Sequence, residues 1–109
     1  PILFMENMKM TRNGAELKVT PGLKLTLAEA PELQAALKRE IADGARDLEF
    51  DMKDTATLDS TGIGLLVAAG NSLAAVQGSL RLINVSADIY KLLRSMRLTD
   101  RLHATPKEG

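Results

Sequence analysis

Leu58-Asp59-Ser60-Thr61-Gly62-Ile63-Gly64-Leu65 stands near the middle of this 109-residue chain and decides its reading. A strand-like run, Leu48-Glu49-Phe50-Asp51-Met52, precedes it, and a long apolar stretch follows from Ile63 to Gly70. Asp59, Ser60 and Thr61 all belong to the residue types that cap helix N-termini, because their side-chain oxygens accept the unpaired N–H groups of the first turn. A hydroxyl flanked by an acid, at a glycine-spaced helix start, is a place to attach and sense a phosphate. Taken alone, the same residues need be no more than a good cap.

Outward from this segment the pattern alternates strand and helix. The spacing predicts a helix over 60–77, closed by Gly78, with apolar residues on every side and therefore covered on every side, either within the domain or by something else. Buried strands are expected over 47–52 and 80–85. Ser86 is placed to cap a last helix, in which Ile89, Leu92, Leu93 and Met96 fall at i, i+3, i+4 and i+7. Leu102-His103-Ala104 reads as a short final strand, with 105–109 as a frayed tail. Upstream, Asn13-Gly14 between the alternating runs 8–11 and 16–19 signals a hairpin turn with both residues at positive φ. Pro21-Gly22 breaks the second of these strands. Thr26 and Glu29 fit a capping box. Pro31 argues instead for a short turn first and a helix beginning near Pro31 itself. Leu33, Ala36, Leu37 and Ile41 then recur at helical spacing, and Gly44 stops the helix. Strands separated by helices imply right-handed crossovers. The expectation is an α/β fold: one domain over 1–109, three helices, and a mixed, mostly parallel sheet of four to five strands that begins with a β-hairpin.

Composition narrows the function. Aromatics are confined to Phe4, Phe50 and Tyr90, so the core must be aliphatic. Fourteen basic residues balance fourteen acidic ones, which leaves no global field to draw the chain to nucleic acid. Without cysteine there is no disulfide framework, thiol catalysis or Cys-ligated zinc. No apolar run reaches the length of a membrane span and no signal peptide is evident, so a cytoplasmic domain without membrane insertion is expected. Charge is unevenly spread. Acids dominate 40–59 and bases dominate 81–101, which reads either as solvated faces or as a bipolar surface that orients a partner.

Enzymatic readings each lack a required group. A Ser-His-Asp triad would have to join Ser60 to His103, the only histidine, and the Gly-x-Ser-x-Gly elbow is absent. Asp-Ser-Thr-Gly has one residue too many for an aspartic protease and leads into a helix. Asp51 and Asp54 invite comparison with phosphorylated-aspartate receivers, but Thr20-Pro21-Gly22 carries no acidic pair for Mg²⁺. Gly62-Ile63-Gly64 is a fragment of a dinucleotide fingerprint, with Val67 where the third glycine belongs. No catalytic residue, cofactor or metal is expected.

The order of elements and the Asp-Ser-Thr-Gly-Ile-Gly segment resemble the STAS domain (sulfate transporter and anti-sigma-factor antagonist), specifically the stand-alone anti-anti-sigma factors, over about residues 8–104. The resemblance implies that Ser60 is phosphorylated by a partner anti-sigma factor, a serine kinase that supplies its own ATP, and reset by a PP2C-type phosphatase. Unphosphorylated protein would bind that partner and free a sigma factor for transcription. Docking is expected on Asp54, Thr57, Asp59, Ser60, Thr61, Gly62 and Ile63, with Gly22, Leu23 and Lys24 alongside; a weak homodimer is also allowed. Relatives carry an acid soon after the glycine ending the second strand, where this chain has Leu25-Thr26. A second reading makes the chain a STAS scaffold subunit of a membrane lipid-transport complex, or of a chemotaxis or stress-signalling complex, with Ser60 only a cap.

Overall fold

The computed structural model describes residues 2–5 and 8–108. Its elements in order are β1 (Ile2–Met5), β2 (Met8–Asn13), β3 (Glu16–Thr20), β4 (Lys24–Leu25), α1 (Ala30–Ala42), β5 (Asp47–Asp51), β6 (Thr57–Leu58), α2 (Ser60–Ala74), β7 (Ser79–Val85), α3 (Ala87–Ser95) and β8 (Ala104–Pro106). The main sheet runs β1-β2-β3-β5-β7-β8, and β4 pairs with β6 in a separate two-stranded ladder. β1, β2 and β3 are antiparallel neighbours; β3-β5, β5-β7 and β7-β8 are parallel.

The expected fold class therefore holds, with three helices and a mixed sheet. The edge strand β1 extends the sheet beyond the expected five strands, pairing Leu3 with Met10 and Phe4 with Lys9. Several local expectations need correction. Asn13 pairs with Glu16, so the hairpin loop is Gly14-Ala15 and only Gly14 takes positive φ, at 61°, as the first loop position of a II′ turn does. The final strand begins at Ala104, after a turn in which His103 sits at φ 49°. Thr105 thus lies within this strand, Pro106 pairs with Val85, and the N–H of Lys107 donates to Val85 O at 2.8 Å; Gly109 lies outside the described residues.

β3, β5 and β7 alternate buried and more exposed positions. Leu17, Val19, Leu48, Phe50, Leu80 and Leu82 are buried on one face. Lys18, Glu49 and Arg81 lie in register across the other. Each parallel crossover steps one strand in the same direction, and right-handed connections then place all three helices over the same face. The opposite face is polar, with Arg81 Nε donating to Glu49 at 3.0 Å. Arg12 pairs with Glu40 at 3.0 Å and Asp43 at 3.5 Å. Within the acidic run, Glu40 and Asp43 thus share Arg12, and Glu49 pairs with Arg81.

α2 packs beside α1 and on β7. Ile63, Leu66 and Leu73 are buried, but Gly64, Ala68, Asn71 and Ser72 are exposed. Cover within the domain is therefore partial: small residues make the outer stripe apolar on a hydropathy scale while offering little surface to bury. Among the described residues, no helix is long and apolar enough to cross a membrane.

Candidate functional site

α2 starts where β6 ends, and the first question is which of three adjacent capping residues caps it. The structure selects Asp59. Its backbone is extended (φ −103°, ψ −177°) and its Oδ1 accepts the Gly62 N–H at 2.8 Å. Ser60 is therefore the first helical residue rather than the cap, and it is exposed. Among the described residues, no protein group is hydrogen-bonded to its hydroxyl. Thr61 is half-buried, while Gly62 and Ile63 are buried.

Gly62 is fixed by a close approach. A Cβ there would run into the Leu25 carbonyl oxygen and the Leu58 side chain, so the helix start lies directly on the β4–β6 ladder. That ladder pairs Lys24 with Thr57 and Leu25 with Leu58. The N–H groups of Ala56 and Thr57 donate to Leu23 O at 2.9 and 3.1 Å, and Thr55 Oγ1 donates to Gly22 O at 2.9 Å. The segment 22–24 and the loop 54–58, far apart in sequence, thus form one surface beside Ser60. Leu23, Lys24, Asp54 and Thr57 are exposed on it.

The second oxygen of Asp59 reaches outward. Oδ2 accepts the Leu27 N–H at 3.0 Å, which ties the turn before α1 to the start of α2. The Gly62 N–H first, and the Leu27 N–H with it, hold the Asp59 carboxyl below the ordinary aspartate range. In the same turn, Glu29 accepts from Thr26 Oγ1 at 2.6 Å and from Thr26 N at 2.9 Å, the hydroxyl first and the N–H with it lowering its carboxyl as well. Half of the capping box is present: Glu29 reaches back, but Thr26 Oγ1 donates to it instead of capping. α1 starts at Ala30 with Pro31 in its first turn, where the missing N–H costs nothing. Sequence reasoning missed Leu27; its one available signal was an apolar residue inside a polar turn.

Catalytic alternatives find no geometry. His103 Nδ1 lies 2.8 Å from Leu80 O and borders a cavity with Asn71, Ala74 and Gly78 near the C-terminal end of α2, whereas Ser60 opens the helix. A 15-residue helix is about 22 Å long, so the two residues cannot share a proton. Asp51 Oδ1 accepts from Lys53 N at 3.1 Å and Asn84 Nδ2 at 3.0 Å. Among the described residues, no group of three or more His, Cys, Asp or Glu side chains is placed to hold a metal.

An anti-sigma-B factor antagonist from Staphylococcus aureus is 30% identical to the chain over 97 residues, covering 89% of this chain and 90% of the relative. Among solved structures, the anti-sigma factor antagonist SpoIIAA in its unphosphorylated form superposes with a TM-score of 0.82 at 17% identity, covering 92% of this chain and 89% of that one. The phosphorylated form of SpoIIAA, the Bacillus cell fate determinant, gives 0.75 at 16% identity, with 92% of each chain covered. A family model, the STAS domain, matches residues 7–109, and the chain belongs to that family.

Proposed function

We propose that this chain is an anti-sigma factor antagonist whose affinity for its partner is set by phosphorylation of Ser60. The observation that carries this reading is the division of labour at the start of α2: Asp59 takes the cap and leaves the Ser60 hydroxyl free and exposed. The S. aureus relative named as an antagonist supports the partner class.

The unphosphorylated chain binds a cytoplasmic anti-sigma factor and so frees a sigma factor. The partner is itself the serine kinase and supplies ATP and Mg²⁺; this chain performs no catalysis. Ser60 Oγ attacks the γ-phosphorus of the partner's ATP, an Oγ–P bond forms, the bond to the β-phosphate oxygen breaks, and ADP leaves. The hydroxyl proton passes to a base on the kinase. A PP2C-type phosphatase hydrolyses the phosphoserine and resets the switch.

The new group adds a charge of roughly −1.5 to −2. At a helix N-terminus the free N–H groups and the dipole accommodate it, and SpoIIAA keeps this fold in both states. The effect therefore falls on the partner. Two unit charges about 5 Å apart repel by roughly 3 kcal/mol at an effective dielectric near 20, and desolvating the phosphate adds to this. A total of about 3–5 kcal/mol weakens binding by two to four decades.

Mass spectrometry after incubation with the kinase and ATP tests the assignment, with phosphate expected on Ser60. Phosphate on Thr61 or Thr57 alone would contradict it. Thr55 is 2% exposed and bonded to Gly22 O, which removes it from competition.

A further inference from the structure

A cavity of about 240 Å³ lies between the C-terminal part of α2, the start of β7 and the turn before β8. Asn71, on its rim, is about 16 Å along the helix from Ser60, so the cavity is separate from the start of α2. Val67, Ala74, Leu80 and Leu102 give it an apolar wall. Gly70 and Gly78 add no side chain, and a Cβ at Gly70 would meet only Leu80, at 3.9 Å, so the space beside it is open. The volume holds about eight water-sized groups.

Two polar side chains converge on this apolar hollow. Arg101 Nη2 donates to Asn71 Oδ1 at 2.8 Å, which holds the guanidinium at the rim and leaves its Nε and Nη1 donors uncommitted. Among the described residues Arg101 forms no ion pair, and no acidic side chain lines the cavity. The Asp47 carboxylate beyond the rim is already engaged by Ser79 Oγ at 3.0 Å. His103 Nδ1 lies 2.8 Å from Leu80 O. A carbonyl only accepts, so Nδ1 carries the proton and Nε2 of the neutral ring is a free acceptor.

The backbone holds His103 in an uncommon conformation, with φ at 49°. Few residues other than glycine adopt it, and such outliers persist where the surroundings enforce them. Here the enforcement is visible. Leu102 N donates to Leu98 O at 2.9 Å, His103 N to Asp100 O at 3.1 Å and Ala104 N to Thr99 O at 2.8 Å, while Leu82 N donates to His103 O at 3.3 Å. Both polar groups are thus fixed before any ligand arrives, and fixed polar groups on an apolar wall are what a small-molecule site needs.

We propose that this cavity binds a small organic acid, with its carboxylate on Arg101, its apolar body against Leu80 and Leu102, and a hydrogen-bond donor on His103 Nε2. A carboxylate fits better than a phosphate, because a single guanidinium offsets a single charge and its planar fork matches two carboxylate oxygens. The site is independent of the reading of Ser60.

Titration followed by amide chemical shifts tests this with three probes: 3-hydroxybenzoate, benzoate, which lacks the donor, and 3-hydroxybenzyl alcohol, which lacks the charge. 3-Hydroxybenzoate is expected to give saturable shifts around Gly70, Asn71, Leu80 and His103, with a dissociation constant in the millimolar range or tighter, as its few atoms allow. Benzoate should bind several-fold more weakly, and the alcohol at least tenfold more weakly. Arg101→Ala should weaken 3-hydroxybenzoate at least tenfold. Gly70→Leu should abolish its binding by filling the cavity, and should melt no lower than wild type, because glycine is unfavourable inside a helix. Should Gly70→Leu fail to fold, Arg101→Ala carries the test. No saturable shifts with 3-hydroxybenzoate, or shifts centred elsewhere, would overturn the site. So would undiminished binding in Arg101→Ala or in folded Gly70→Leu, and equal binding of the alcohol would overturn the ligand class.

Discussion

Ser60 and Ser86 both stand at the start of a helix, yet only Ser86 caps one. Ser86 is extended (φ −60°, ψ 156°), and its hydroxyl accepts the Ile89 N–H at 3.3 Å. Ser60 lies one residue further in, behind Asp59, which does for α2 what Ser86 does for α3. One hydroxyl is committed to the backbone and the other is free. Placing the acid in the cap leaves the serine hydroxyl uncommitted. Under the proposed phospho-switch, it would also leave a carboxylate beside the phosphate, adding to the local negative charge.

The comparison can be broken by substitution, and the largest effect belongs to a residue that only shapes the site. Gly62→Leu should destabilise by about 3 kcal/mol or more, since overpacking against backbone exceeds the usual 1–3 kcal/mol; chemical denaturation checks this. Any loss of partner binding in that variant would follow from misfolding, because Gly62 is buried under Leu25 and Leu58. Asp59→Ala comes next. It removes the acceptor of two N–H groups at once, so its melting temperature should fall further than that of Ser86→Ala. Ser86→Ala loses one cap bond and should cost about 0.5–2 kcal/mol. Ser60→Ala should change stability by less than ~0.5 kcal/mol, although a capping role would predict a loss equal to that at Ser86.

A pH series sharpens the same contrast. Asp59 and Glu29 both have carboxyls lowered in the folded chain. Their stabilising contribution is therefore complete above the ordinary carboxylate range near ~4, and is lost as pH falls from there through their lower folded values. Denaturation midpoints measured from neutral pH down to about pH 3 should show a drop for wild type that is shallower in Asp59→Asn and in Glu29→Gln. Ser86→Ala should retain the full wild-type slope.

How much of this was legible in the sequence follows from the length and period of each element. β3, β5, β7 and α3 could be read because their buried residues recur at the strand or helix period, as Leu17 and Val19, Leu48 and Phe50, or Ile89 and Leu93 do. β4 and β6 could not, because two residues carry no period; they exist because Leu25 and Leu58 are brought together by the approach of Gly62. The choice between Asp59 and Ser60 as cap was equally hidden. Both side chains cap well, and only the backbone conformation at Asp59, set by the ladder before it, decides. The hairpin loop slipped by one residue for a similar reason: pairing of Asn13 with Glu16 leaves Gly14, and not Asn13, at positive φ. What composition overstated was the apolar character of α2, whose Gly64 and Ala68 lie in solvent.

The most direct measurement compares the affinity of the anti-sigma factor for the unmodified chain and for the same chain phosphorylated at Ser60, with amide exchange recorded on both. The account predicts that affinity falls by two to four decades while protection in β3, β5 and β7 is unchanged. Equal affinities, or loss of protection across those strands on phosphorylation, would contradict release by local repulsion at the start of α2.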